Sequence, residues 1–138
     1  MIKKIKLTDV IIAILSLLLC IGAATFFQAC GPKDDGSWMN CHWAEVTVVS
    51  LGAVMTAQGI ARFFVAPKIR IGLDISHIAI SVLTAVVPGI LIPLCMMNTM
   101  HCHMVFRPAV IVVSVLIAAV SVADMILQAR SEKKVTEK

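Results

Sequence analysis

The sequence is poor in charged and aromatic residues. Only 14% of its 138 residues are charged, Tyr is absent and Trp occurs twice, whereas soluble domains are usually about 25% charged. The small charged fraction excludes an ordinary soluble enzyme, and the 59% hydrophobic content excludes a disordered chain. Because aromatic residues are few and the basic residues form short clusters rather than one face, we expect no nucleic-acid partner.

The sequence instead contains long runs of apolar residues. A transmembrane helix needs roughly 20 mostly apolar residues. Four runs qualify, from about Thr8 to Phe27, Trp43 to Val65, Leu73 to Leu94 and Val105 to Leu127. The sequence therefore predicts an all-α bundle of four transmembrane helices. Residues 1–138 then form one integral membrane domain that ends in a cytoplasmic tail over residues 129–138.

Two local features bear on how these helices pack. The small residues Ala53, Ala57 and Ala61 of the second span, beside Gly52 and Gly59, predict a close-packed face. We expect this face to meet Ser114 and Ala118 of the fourth span. Pro88 and Gly89 predict a kink in the outer third of the third span.

The distribution of Lys and Arg predicts the orientation in the membrane. Ten of the twelve lie at one set of span ends, and only Lys33 and Arg107 lie at the other. Loops rich in Lys and Arg stay in the cytoplasm. We therefore expect cytoplasmic termini, a cytoplasmic middle loop, and extracytoplasmic loops around Cys30–His42 and Cys95–His103.

The two halves of the chain share a pattern. In each half an Asp is followed by a Cys 21 positions later, and a Met-x-Cys-His motif comes next. The matching positions are Asp9, Cys30 and Met39–His42 in the first half, and Asp74, Cys95 and Met100–His103 in the second. The pattern predicts two tandem hairpins, repeat 1 over about 7–65 and repeat 2 over about 73–128. A parallel repeat of this kind is related by an axis along the membrane normal.

Soft metal ligands concentrate in the two outward loops. Thiolate, thioether and imidazole groups together favour Cu(I), and after it Zn, with haem between two histidines a weaker alternative. The candidate ligands are Met39, Cys41, His42, Met100, Cys102 and His103. Glu45, one turn into the second span, is expected to orient the His42 imidazole or to accept a proton.

The loop cysteines also allow two interpretations without a metal. In an oxidising compartment, an even number of loop cysteines usually forms structural disulfides. The candidates are Cys30, Cys41, Cys95 and Cys102, and the repeat suggests the pairs Cys30–Cys41 and Cys95–Cys102. The same thiols would alternatively exchange disulfides with a partner in a redox relay.

Charged residues at the opposite span ends predict an ion pair at the inner boundary. Arg62 lies where it could pair with Asp74 or Asp124, and we interpret this pair as structural. We expect His77 to be a packed, hydrogen-bonded histidine. Only Gln58, Ser81 and Thr84 are expected near the membrane centre, so the sequence predicts no polar pathway through the bilayer.

The repeated Cys and Met-x-Cys-His motifs, with Trp43 after the first and Phe106-Arg107-Pro108 after the second, resemble a family of small four-helix bacterial membrane proteins of unknown function. The resemblance covers about Leu7 to Leu127. It implies a bacterial cytoplasmic (inner) membrane location and points to an association with transporter permeases.

The architecture also resembles the membrane disulfide oxidoreductases that pass electrons to quinone. That family carries a Cys-x-x-Cys pair, which this sequence lacks. Together these patterns predict an accessory subunit or homo-oligomer in the lipid bilayer, with a soft-metal or redox site at its outer end. The alternatives are a quinone-linked thiol relay, and a disulfide-stapled structural or regulatory subunit of a permease without chemistry of its own.

Overall fold

Four long helices make up most of the chain. The computed structural model describes residues 2–26, 31–94, 96, 99 and 102–138, without the side chains of residues 2–6 and 102. The helices are α1 (Ile2–Thr25), α2 (Asn40–Ala61), α3 (Pro67–Val86) and α4 (Arg107–Thr136), and a π-helical turn over Cys102–Phe106 precedes α4. Each helix is long and apolar enough to cross a membrane. The predicted all-α fold with four spanning helices is therefore confirmed.

The outward surface of the bundle is apolar. Ile14, Leu18, Ile75, Val82 and Leu116 are each about half exposed, while many side chains in the interior are small or polar. This distribution is the reverse of that in a soluble bundle, and it suits helices whose outer faces contact lipid. The chain is thus a multi-pass membrane protein.

The helices pack side by side with antiparallel neighbours. α1 packs against α2 and α4, and α3 packs against α4 and more lightly against α2. The start of α1, the α2–α3 connection and the end of α4 lie together, and we call this the basic end. We call the opposite end, where α2 and α4 begin, the cysteine end.

Two glycines allow α1 and α2 to approach closely. A Cβ atom built on Gly52 would lie 3.1 Å from Cα of Cys20, and one on Gly59 would lie 3.2 Å from Cα of Ala13. The glycine face of α2 therefore meets α1. The expectation that Ala53, Ala57 and Ala61 meet Ser114 and Ala118 of α4 is wrong. Ala53 and Ala57 are exposed, and the main neighbours of α2 are α1 and α3.

α2 and α3 end several residues before the predicted spans, whereas α4 continues through most of the predicted tail, to Thr136. α3 ends at Val86 rather than near Leu94, because Gly89 adopts a positive φ of 102° and its backbone N–H bonds Ile92 O at 3.1 Å. The expected kink is thus a helix end. α2 ends at Ala61, a few residues before Pro67, since Ala66 is held extended before that proline.

The close approach of α1 and α2 predicts a specific sensitivity at Gly52. Gly52→Val adds atoms against the Cys20 backbone, which cannot give way as a flexible side chain would. We expect it to lower the free energy of unfolding by about 1–3 kcal/mol, measured by thermal unfolding in detergent micelles. Gly72→Val is the matched control, since a Cβ at Gly72 has nothing within 4 Å. Equal effects of the two substitutions would contradict the packing.

Candidate functional site

Charged side chains from all four helices meet inside the basic end. Asp9 lies on α1, Arg62 caps α2, Asp74 lies on α3 and Asp124 lies on α4; none is more than 1% exposed. We call these residues, with Arg70 and Gln128, the charge cluster.

Arg62 lies at the centre of the charge cluster. Its Nη2 contacts Oδ1 of Asp74, while its Nη1 lies 3.7 Å from Oδ1 of Asp9 and 3.9 Å from Oδ2 of Asp124. One guanidinium therefore faces carboxylates from the three other helices. A buried charge needs such partners, because an uncompensated one costs several kcal/mol.

Arg70 and Gln128 complete the charge cluster. Nη2 of Arg70, whose side chain is 15% exposed, contacts Oδ2 of Asp9. Nε2 of Gln128 donates to Oδ2 of Asp74 at 3.0 Å and to Oδ2 of Asp124 at 2.7 Å. Asp124 also accepts a hydrogen bond from Oγ1 of Thr8 at 2.5 Å. Two carboxylates thus share one amide group.

The charge cluster lies near one end of the apolar segments, with Asp9 the third residue of the span Leu7–Thr25. Asp9 and Asp74 are each seven residues into their helices, which corresponds to about 10 Å along the axis. Their neighbours Val10 and Ile75 point outward and are 40% and 57% exposed. At this level the bundle presents apolar side chains outward and charges inward.

Polar side chains continue from the charge cluster along the bundle interior. The buried residues of α3 are all polar: Asp74, His77, Ser81 and Thr84. On α4, Ser114 and Ser121 are buried on the same face as Asp124, and on α1 Ser16 is buried. Our expectation of only three central polar residues is therefore wrong. The missed signal is their spacing of three and four residues, which places them on one helix face.

His77 contacts a serine of α1 through its ring. Ser16 Oγ lies 2.8 Å from Ile12 O, to which its hydroxyl donates, and 3.2 Å from Nε2 of His77. Nδ1 of His77 has no hydrogen-bond partner among the described residues. His77 also lies close enough to interact electrostatically with Arg62.

The buried polar side chains of α1, α3 and α4 do not continue to the cysteine end. The interior of that half is formed by apolar side chains, namely Leu19, Ala23, Ala44, Val48, Val87, Phe106 and Val110. Within the described part of the bundle, the buried polar side chains therefore lie only in the half toward the basic end.

At the cysteine end, Cys41 and His42 begin α2 and point in different directions. Cys41 is fully buried, whereas His42 is half-buried. The His42 ring stacks on Trp38 with centroids 4.0 Å apart, and the edge of Trp43 lies 5.9 Å away. Adjacent residues on a helix lie about 100° apart, so the pair presents a thiol inward and an imidazole outward.

Part of the predicted metal site lies outside the described residues. Cys30, Cys95 and Met100 are outside them, and the side chain of Cys102 is not described. His103 is half-buried in the π-helical turn, Met39 precedes α2, and Glu45 is half-buried one turn into α2. The described side chains include no group of three or more His, Cys, Asp or Glu residues placed to hold a metal ion.

The central position of Arg62 predicts a large cost for its removal. Arg62→Gln leaves three buried carboxylates without their shared cation, and we expect about 3–5 kcal/mol of destabilisation. Lys68→Gln removes the same charge from an exposed position on α3, and we expect an effect within about 0.5 kcal/mol. Chemical unfolding in mild detergent compares the two variants. Similar losses in both would show that Arg62 is not an organising residue.

Comparisons with known proteins identify a family but no function. No curated protein and no solved structure matches the chain. One family model, described as a domain of unknown function (DUF4418), matches residues 12–127. That range contains all four membrane helices except the ends of α1 and α4. The chain therefore belongs to the DUF4418 family of four-helix membrane proteins, whose function is unknown.

Proposed function

We propose that this chain is a small membrane subunit that binds a soft metal ion, Cu(I) above all, at its cysteine end. The ligands come from the two Met-x-Cys-His motifs at the starts of α2 and α4. They are Met39, Cys41 and His42 from the first motif, and Met100, Cys102 and His103 from the second. Their combination of thiolate, thioether and imidazole groups is the one that Cu(I) prefers.

The observation that supports this proposal is the position of Cys41. Its side chain is fully buried in the first turn of α2, at the end of the bundle where α4 also begins. The π-helical turn that carries His103 begins α4 at the same end of the bundle. A thiol from α2 and an imidazole from the turn before α4 therefore lie at the same end of the molecule.

The different directions of Cys41 and His42 separate two roles within the proposed site. Cys41 points inward, where it would hold the ion together with ligands from the second motif. His42 stacks on Trp38 through its ring face, so its ring nitrogens lie at the edge of the stack. On this proposal His42 acts at the entrance and Cys41 holds the ion.

Tryptophan fluorescence provides a local measurement of binding. The only two Trp residues, Trp38 and Trp43, flank His42. We expect about one Cu(I) per chain to bind reduced protein in detergent under anaerobic conditions and to change this fluorescence. Binding to thiolates also releases protons, which gives a second readout.

Two serine substitutions test the role of Cys41. Cys41→Ser is expected to weaken Cu(I) binding by more than the roughly 10–100-fold typical when a group that orients a metal ligand is lost. Cys20→Ser is the matched control, because Cys20 is a half-buried thiol in α1 that contacts Val49 O. Equal affinities of the two variants would contradict the proposal.

The oxidation state of the protein as isolated separates this proposal from its alternatives. Intact mass after alkylation counts the thiols with and without reductant. If Cys30, Cys41, Cys95 and Cys102 are all paired, thiolate ligation fails and a disulfide staple remains. If one pair also forms a trapped mixed disulfide with a partner protein, the redox relay replaces both.

A further inference from the structure

Two serine hydroxyls in the interior face of α4 have no hydrogen-bond partner. Ser114 and Ser121 are at most 1% exposed, and Oγ of neither has a partner among the described residues. Other hydroxyls in the bundle donate to their own helix, as Thr84 does to Ile80 O at 2.7 Å. A hydroxyl buried without a hydrogen bond is costly. The two hydroxyls of α4 therefore require a partner other than their own helix.

Two further polar atoms on facing sides of α3 and α4 lack partners. Nδ1 of His77, a residue with no exposure, and Oε1 of Gln128, a residue 6% exposed, have none among the described residues. Nε2 of Gln128 is already used by Asp74 and Asp124. Proteins leave few buried polar atoms unpaired. The four atoms together therefore indicate a common partner between the two helices.

The antiparallel packing of α3 and α4 arranges the polar groups in a row. The hydrogen bond between Gln128 and Asp74 defines one level of the two helices. At a rise of about 1.5 Å per residue, further buried polar residues follow about 5, 10, 15 and 20 Å from that level: His77, Ser121 with Ser81, Thr84 and Ser114. A water molecule that bridges two groups spans about 5–6 Å, which is twice a hydrogen-bond length. The axial spacing of the row matches this span.

We propose that internal water molecules occupy this row between α3 and α4, about one for each step between neighbouring polar groups. They bind the unpartnered atoms of Gln128, His77, Ser121 and Ser114. Each water molecule then has at least two polar neighbours, as a buried water requires.

The surroundings define where the water row begins and ends. It begins at the charge cluster, where the side chain of Arg70 is 15% exposed. It ends near the middle of the bundle, because the interior beyond it is formed by Val87, Phe106 and Val110. The protein therefore has a hydrated half next to the basic end and an apolar half next to the cysteine end.

Water fits these groups better than an ion does. Oε1 of Gln128 only accepts hydrogen bonds, whereas serine hydroxyls both donate and accept them. A metal cation would need several acceptor oxygens and would be repelled by the guanidinium of Arg62, and an anion would be repelled by Asp74 and Asp124. Water can donate to one neighbour and accept from the next.

X-ray radiolytic footprinting of the native full-length chain in detergent tests the proposal. X-ray pulses produce hydroxyl radicals from bound as well as bulk water, and each radical oxidises the side chains next to it. We expect oxidation of His77, although this residue has no exposed surface. Met55 is the internal control, because it is equally buried within the apolar core and methionine oxidises easily. Protection of His77, or equal oxidation of His77 and Met55, would overturn the proposal.

A substitution at Ser121 tests the position of the water. Ser121→Val removes the hydroxyl and adds apolar volume within the row, so we expect oxidation of His77 to fall several-fold. Ser50→Val is the matched control, since the exposed Ser50 donates to Val46 O at 2.8 Å on its own helix. It should leave the oxidation of His77 unchanged. Equal oxidation of His77 in the two variants would contradict the placement.

Thermal unfolding of alanine variants distinguishes bound water from a dry interior. If the hydroxyls bind water, Ser114→Ala and Ser121→Ala lose those hydrogen bonds and lower the melting temperature. If the interior is dry, the same substitutions remove an unpartnered polar group and raise it. Ser50→Ala is the reference for the loss of an exposed hydroxyl. Melting temperatures equal to or above that of Ser50→Ala would overturn the proposal.

Discussion

The burial of Arg62 among carboxylates from three other helices is the constraint on which the structure depends. In lipid, apolar contact between helices contributes little, because lipid tails are as apolar as the side chains they would replace. Polar interactions and close packing must then specify which helices meet. A guanidinium within reach of Asp9, Asp74 and Asp124 fixes the rotation of all four helices at one end. The glycine contacts of α2 with α1 extend that arrangement along the bundle.

The two ends of the bundle have different chemistry. The basic end encloses charge and leads into a row of buried hydroxyl and imidazole groups that ends midway. The cysteine end combines an inward thiol, a stacked imidazole and two tryptophans, and apolar side chains separate it from the charge cluster.

The sequence was sufficient to predict the number of helices and part of the charge cluster. Each helix corresponds to an apolar run in the sequence. Local residues such as Gly89 explain where the helix ends in the structure differ from the predicted ones. Arg62, Asp74 and Asp124 could be grouped because they lie near the same span ends. Asp9 lies near the same span ends, but its contacts with Arg62 and Arg70 could not be derived from local patterns. The same holds for the contact of Ser16 with His77. These contacts depend on the order and rotation of the helices, which are set by residues far apart in the sequence.

At the cysteine end, the sequence predicts which residues come together but not where their side chains point. The repeated Met-x-Cys-His motif is clear in the sequence, but a motif names residue types and not the directions of side chains. Placing Cys41 in the interior and His42 against Trp38 required the helix rotation. The tandem repeat itself stays a prediction, as do the disulfides Cys30–Cys41 and Cys95–Cys102 and the orientation in the membrane.

A double-mutant cycle between Arg62 and Asp74 tests the central interaction most directly. The free energy of unfolding would be measured in detergent for Arg62→Gln, Asp74→Asn and the double variant. If the buried pair organises the bundle, the two substitutions are coupled by at least about 1 kcal/mol, within the range of about 0.5–3 kcal/mol for residues in one network. If their effects add to within about 0.5 kcal/mol, the two residues act independently and the account is contradicted.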